Sequence, residues 1–594
     1  MIGGHGSMKR WFRLIGAACF MVAVSLLLWV CGYDGRLQFN KGLVSLCCFG
    51  VAYRLLPETF RHWKQDRRRF FYSYGISVFL ALTEMMGLWL WRKENTDLAL
   101  NGAMAVIVLF FCVWILAALL EPFFYWLSGW NFLEKGMRVS LPKIFFFSWM
   151  VFTAAYVPCL LAFYPGLYAY DMSWQWQQFI GYGYTTHHPL IHTVFASWLI
   201  ELGNQIFGDY QKGLFLHSVV QMLIMTGSMA FAMTFLVKWK VPKNIWIGIG
   251  CFFAFFPFFP VLGISTTKDT VFGCLFLMTF VCICDMEIQK QLYKGWKMAA
   301  FVILAILACL FRNNMVYGLA LMEIGLFMIV VWRIHRKKVI KPLAGVCAVI
   351  AVVIVGSHLG FAGLENTFHA LKGSKAEMLS LPMQQMARAY VRHTDELDEE
   401  DRMEMERFFE KDWLTRYKYY LSDPVKKGMN MELVGDEPAE FLKLWARLGK
   451  QFPSEYIEAP LYNTFGLWYL GGDSSCYMEY KMTISFDEKH HVELQSKLPA
   501  AQSYYSWFQD QNLYRYLPGV SMIFYTSFYL WLILLCGWYL LVQKRYTHLF
   551  GTVFLLAYGA TLVFGPCILP RYCLGLMVSA PVLAAVTFIK QKEM

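Results

Sequence analysis

Charge is what this 594-residue chain lacks most: only 16% of it is Asp, Glu, Lys or Arg, against roughly a quarter in soluble globular chains. The shortage is concentrated in long uncharged apolar runs, and 58% of the residues are hydrophobic, which excludes a string of soluble domains and makes the bilayer the main solvent. No Walker loop, nucleotide-binding glycine fingerprint, nucleophile elbow or zincin motif occurs, so nucleotide-driven transport and serine or zinc hydrolysis lack support. A disulfide framework is missing too. The largest polar stretch holds one cysteine, Cys476, while others such as Cys47, Cys48, Cys282, Cys284 and Cys309 lie in apolar runs and read as small core residues. The net charge of +12 does not point to nucleic acid, because the bases sit in short loops between apolar runs, where anionic lipid headgroups and the positive-inside bias account for them.

What is present is a regular alternation of apolar runs and basic clusters. The run 11–30 follows Lys9, Arg10 and Arg13 and precedes no small-residue cleavage pattern, so it reads as a first anchor rather than a signal peptide. Further clusters are Arg61 to Arg69, Lys135/Arg138/Lys143, Lys238/Lys240/Lys243, Lys290/Lys294/Lys297, Arg333 to Lys341, Lys544/Arg545 and Lys590/Lys592, all assigned to the cytoplasm. Parity closes if the weaker run 189–208, with its stripe of Thr193, Ser197, Glu201 and Asn204, lies in the interface instead of crossing. The expected fold is an α-helical polytopic membrane protein of about 14 transmembrane helices, both termini cytoplasmic. Its parts are N-terminal spans (1–143), a transmembrane core (144–361) with an outer loop at 165–211, an extracytoplasmic domain (362–518) and C-terminal spans (519–594). The region 363–517 carries 25 acidic and 18 basic residues, the sign expected outside. Helices over 395–413 and 437–451 and a strand over Lys481 to Phe486 predict a mixed α/β domain there.

The outer loop from Tyr164 to His192 reads YPGLYAYDMSWQWQQFIGYGYTTHHPLIH. Pro165-Gly166 ends the preceding span, and Asp171 can cap a short helix carrying Trp174, Trp176, Gln177 and Gln178. Asp171 is the only acid between Lys143 and Glu201. A lone carboxylate at a membrane surface suits a general base that deprotonates an acceptor hydroxyl, or a metal ligand; the plain alternative is the N-cap itself. The tryptophans read first as an interfacial belt and second as stacking surfaces for a sugar. His187-His188-Pro189 opens the next helix, where adjacent side chains point apart and two ligands without a third do not make a zinc site, so hydrogen bonding to substrate or loop is favoured.

A few basic residues on the expected outer side stand apart from any cytoplasmic cluster, namely Lys268, Arg312 and Arg571, each at the outer end of a span. Singly they read as snorkelling cations, with Lys268 paired to Asp269; together on one face they suit a lipid-linked phosphate. The outer domain offers Gln384, Gln385 and Arg388, then Asn463, Trp468 and Tyr469. These are carbohydrate-contacting types that serve equally often as core and cap residues.

This arrangement resembles the GT-C superfamily of multispanning glycosyltransferases, particularly bacterial relatives of the protein O-mannosyltransferase and aminoarabinose-transferase type. The resemblance is carried by Tyr164-Pro165-Gly166 and Asp171 after an outward span, His188-Pro189-Leu190 opening a helix that ends at Phe207-Gly208, Lys268-Asp269, and Arg571-Tyr572. It covers mainly 144–335, with looser agreement over 519–589. It implies a sugar donor linked to polyprenyl phosphate, bound at the extracytoplasmic face, and a cell-envelope glycan, lipid or protein as acceptor. Asp171 would then be the base, and Lys268, Arg312 and Arg571 would hold the donor phosphate. Many relatives have an acidic pair where this chain has Asp171-Met172, which weakens a metal-binding version of the site, although a divalent metal stays open as a cofactor. The usual His-Pro-Pro is His187-His188-Pro189 here, which leaves the role of His187 open. The runner-up expectation is a transporter or flippase of lipid-linked saccharides, and the third a membrane-anchored binding protein.

Overall fold

Apolar runs in a chain that cannot hydrogen-bond to lipid must close their backbone bonds internally, and the regular structure of the described residues in the computed structural model is accordingly helical apart from two strands of two residues each. It describes residues 13–19, 21–22, 43–95, 103–133, 139–336, 341–373, 376, 379–471, 492–510 and 520–590. Eight helices there are long and apolar enough to cross a membrane: Arg67–Asn95, Leu109–Leu127, Leu141–Ala162, Tyr210–Lys238, Lys268–Gln289, Asn314–His335, Leu343–Thr367 and Pro570–Thr587. Four shorter apolar helices accompany them, Lys243–Phe255, Trp296–Phe311, Thr526–Val542 and Phe550–Phe564. The chain is thus a helical polytopic membrane protein.

Fourteen full spans are not found among the described residues, and the reason is physical. An apolar run is not a helix of the same length: the run 244–263 breaks at Phe256-Pro257, leaving 13 residues, or about 20 Å, in Lys243–Phe255, short of the hydrocarbon thickness of about 30 Å. Leu43–Gln65 forms a helix but carries Arg54, Glu58 and Arg61. Most of the expected first anchor lies outside the described residues. Helix Leu190–Phe207 is not among the eight, and Thr193 and Ser197 of its expected polar stripe are buried rather than exposed.

The chain divides into two compact units, one of residues 1–132, 468–473 and 537–546, the other of the remainder. In the first, His62 Nδ1 meets Glu121 at 2.9 Å while its ring stacks on Tyr125, and Tyr469 lies against Gly87, where a Cβ would approach its ring to 2.2 Å.

In the second unit, the described part of 363–517 is an all-helical layer, which corrects the mixed α/β expectation; the predicted strand at Lys481 to Phe486 lies outside the described residues. Both predicted helices are present, as Glu399–Phe408 and Pro438–Gln451. Phe441, Leu444 and Leu448 repeat at helical spacing on the second and are buried with Met383, Met386 and Phe408 in a core of their own. Cys282, Cys284 and Cys309 are buried free thiols, as their apolar surroundings predict.

One close helix–helix approach shapes this unit. Helices Leu190–Phe207 and Tyr210–Lys238 meet at Gly203 and Gly213, where a Cβ on Gly213 would lie 2.2 Å from the Ile200 carbonyl oxygen. Between them, Gly208 takes the left-handed conformation (φ 67°) and Asp209 caps the second helix by accepting from Gln211 N–H at 2.8 Å.

Candidate active site

The loop after Leu141–Ala162 is clamped to the turn before Lys268–Gln289. Leu167 N–H donates to Ile264 O (3.0 Å), Thr266 N–H donates back to Leu167 O (2.9 Å), and Ala169 N–H donates to Thr266 Oγ1 (2.8 Å). Gly166 makes this approach sterically allowed: its φ is +137°, and a Cβ there would fall 1.9 Å from Ser218 Oγ. The clamp brings together chain segments 97 residues apart and sets Asp171 beside Lys268.

Asp171 lies in the first turn of Tyr170–Gln177, but the N-cap is Ala169 and no side chain caps this helix. The Asp171 carboxylate instead lies 3.5 Å from Lys268 Nζ and 3.8 Å from an Arg571 guanidinium nitrogen. The expected N-cap and the expected Lys268–Asp269 pair are both replaced. Adjacent residues on a helix point about 100° apart, so Lys268 turns to Asp171 while Asp269 turns inward to Arg312 and to Arg571 Nε at 3.6 Å. Thr267, which caps the helix, also donates to Asp269 Oδ2 at 3.2 Å. Arg312 is held over the Tyr572 ring at 4.4 Å and Arg571 over the same ring at 5.4 Å.

The result is a cluster of three cations and two carboxylates with a net charge of +1, built in two layers. Asp269 is fully buried and Arg312 nearly so, whereas Asp171, Lys268 and Arg571 are each about one-fifth open. The inner pair forms a foundation, and the outer three can meet a ligand. Asp269 and Tyr572 were not assigned a role by the sequence; the signal that could have found Asp269 is an acid in the first turn of an apolar span, beside Lys268.

His188 extends the site. Its Nδ1 lies 3.1 Å from Lys268 Nζ and, facing an ammonium that can only donate, acts as the acceptor. Burial and the Lys268 charge hold this imidazole down at about 3, against the pull of Asp171, so it is neutral. For Asp171, burial raises the carboxyl, but the Lys268 and Arg571 charges outweigh it and hold the group well below the usual carboxylate range. His187 is exposed, its ring set edge-on to that of His188 with centroids 4.6 Å apart. Below lies His192, which meets Gln175 Oε1 at 3.0 Å through Nδ1 and is pushed well down by burial. Among the described residues no three His, Cys, Asp or Glu side chains converge as metal ligands.

The candidate residues of 363–517 are used differently. Gln384 donates to Lys418 O (3.1 Å), and Gln385 donates to Tyr456 O and accepts from Trp445 Nε1, both at 2.9 Å. Arg388 is fully buried between Glu455 (2.7 Å) and Glu458 (2.9 Å), with Tyr462 beneath it. These three serve the interior of the helical layer. Asn463 donates to Gly565 O at 2.8 Å, and Ser422 N–H to Pro566 O at 3.0 Å, so the layer braces the segment leading into Arg571. Trp468 and Tyr469 belong to the first unit, and the charge cluster is built in the second.

Residues 182–594 match the model of a family of unknown function, DUF6020, and the chain belongs to that family. No curated protein and no solved structure matches it.

Proposed function

We propose that this DUF6020 member is a GT-C-like membrane glycosyltransferase that moves a sugar from a polyprenyl-phosphate donor to a cell-envelope acceptor. The reaction takes place at the extracytoplasmic face of the cell membrane, with both termini cytoplasmic. The observation that carries this reading is the outer layer of the cluster: one carboxylate, Asp171, between two cations that a ligand can reach, Lys268 and Arg571. The acidic balance of 363–517, against basic loops elsewhere, supports the sidedness.

In this reading Asp171 accepts the proton of the acceptor hydroxyl as its oxygen bonds to the anomeric carbon. The bond from that carbon to the phosphate oxygen breaks, and its electron pair leaves on the phosphate, where Lys268 and Arg571 stabilise the developing charge. Arg312 acts as a positioning residue, fixing Asp269 and through it Arg571. The donor's phosphate also draws both outer cations away from Asp171. That matters, because a carboxylate held so strongly by cations is a weak base until they are shared. Binding the correct substrate thus switches the base on.

The test is release of polyprenyl phosphate from a panel of polyprenyl-phosphate sugars by purified protein in detergent, with candidate acceptors, with and without chelator. Wild-type turnover that collapses in Asp171→Asn and Arg571→Ala supports the reading, and chelator insensitivity makes Asp171 a base rather than a metal ligand. Equal turnover by wild type and Asp171→Asn overturns it.

A further inference from the structure

Beside the charge cluster lies a second polar constellation. A cavity of about 250 Å³ opens where the break at Arg312-Asn313 faces the outer end of helix Lys341–Thr367. Its polar lining is Thr186, His188, Asn313, His358 and Glu365; Leu190, Phe361 and Leu364 supply apolar wall. Asn313 and His358 are exposed and Glu365 half-buried, and among the described residues their side chains make no hydrogen bond or ion pair, so three polar groups from two helical segments face one half-open space where a ligand can reach them. Thr186 is fixed in place: its N–H donates to Leu371 O (2.9 Å) and its Oγ1 accepts from Gly373 N–H (2.8 Å), which leaves the hydroxyl proton to donate. His188 is shared, lining the cavity while its Nδ1 meets Lys268.

A carboxylate, an amide, an imidazole and a hydroxyl over an apolar wall complement a ring that carries several hydroxyls on one side and C–H groups on the other. A charged anion is a poor fit, because Glu365 would repel it. The size is also restrictive: sites for drug-sized ligands run to roughly 300–1,000 Å³, so this cavity admits one ring rather than an oligosaccharide. Resting on the transferase reading above, we infer that this cavity receives the single glycosyl ring of the lipid-linked donor, with Glu365 and Asn313 reading its hydroxyls. His188 then forms the wall between sugar and phosphate.

Equilibrium binding to purified protein in detergent, with bare undecaprenyl phosphate and with undecaprenyl-phosphate glucose, mannose and N-acetylgalactosamine as probes, tests this. At least one sugar-bearing lipid should bind wild type about tenfold more tightly than the bare lipid, the worth of about one hydrogen bond to a charged group. Glu365→Ala and Asn313→Ala should each erode that increment while leaving bare-lipid binding unchanged, which also serves as the control for folding. If the increment persists in both variants, if bare-lipid binding falls in step, or if no sugar on the panel improves on bare lipid, the inference is overturned while the phosphate site stands. If bare lipid fails to bind wild type, or binds Lys268→Ala and Arg571→Ala equally well, the transferase reading falls and takes this inference with it.

Discussion

Asp171→Asn should move two observables in opposite directions. The carboxylate lies 3.5 Å from Lys268 and 3.8 Å from Arg571. At an effective dielectric near 20 these separations correspond to gross attractions of about 5 and about 4 kcal/mol. An incoming phosphate competes with that carboxylate for the same two cations. Asparagine keeps the shape and removes the competitor, so the cluster, three cations against two carboxylates, goes from a net +1 to +2. Most of the gross attraction is not recovered, because in the variant water solvates Lys268 and Arg571 through their open fifth. A gain of about 1.4 kcal/mol, or tenfold tighter binding of bare polyprenyl phosphate, is the expected remainder. Turnover should fall by about 10²- to 10⁴-fold with loss of the base. Titration of the lipid against both proteins, followed by single-turnover release, measures the two effects on one preparation. Weaker lipid binding in the variant would refute the competition, and undiminished turnover would refute the base.

Acid should destabilise the protein through His188. Its folded value of about 3 against the ordinary 6.5 means that its stabilising contribution is complete above pH 6.5 and is lost at about 1.4 kcal/mol per pH unit as pH falls toward 3. Thermal unfolding in detergent should show the decline between pH 6.5 and 5, with His188→Gln flatter; His192, displaced the same way, carries the residual slope, and a flat wild-type profile contradicts the assignment. Arg388→Met should cost about 3–5 kcal/mol by leaving Glu455 and Glu458 buried without their cation. Limited proteolysis within 380–463 reads this out, and adding Glu455→Gln and Glu458→Gln should restore resistance. Gly213→Ala should force two helices apart at the Ile200 carbonyl, costing about 1–3 kcal/mol and seen as a lower unfolding temperature; an unchanged temperature contradicts that contact.

Membrane chemistry explains which parts of the site were legible in the sequence. Asp171, Lys268, Arg312 and Arg571 stood out because a charge at the edge of an apolar run is costly and therefore conspicuous. Their partners did not. Lys268 and Asp269 are neighbours in the chain, and only the helix, by turning them apart, shows that each serves a different opposite charge. Gln384, Gln385 and Arg388 have the right chemistry for carbohydrate, but residue type does not reveal that Tyr456 O, Trp445, Glu455 and Glu458 already use it. Glu365, His358 and Asn313 carry no periodic signature, because their meeting depends on how two helical segments face each other. Span counting went astray where prolines shortened helices inside continuous apolar runs.

The order in which the cluster's members occur along the chain has a consequence for biogenesis. Asp171, Lys268, Asp269 and Arg312 all leave the ribosome well before Arg571, and those four sum to zero. Partly inserted protein can therefore lodge a charge-neutral quartet at the membrane boundary with no stray ion to keep out of the lipid. Arg571 arrives with the last long apolar helix, Pro570–Thr587, and supplies the surplus positive charge. On the proposed reading, a nascent chain should be unable to capture an anionic lipid until Pro570–Thr587 has docked.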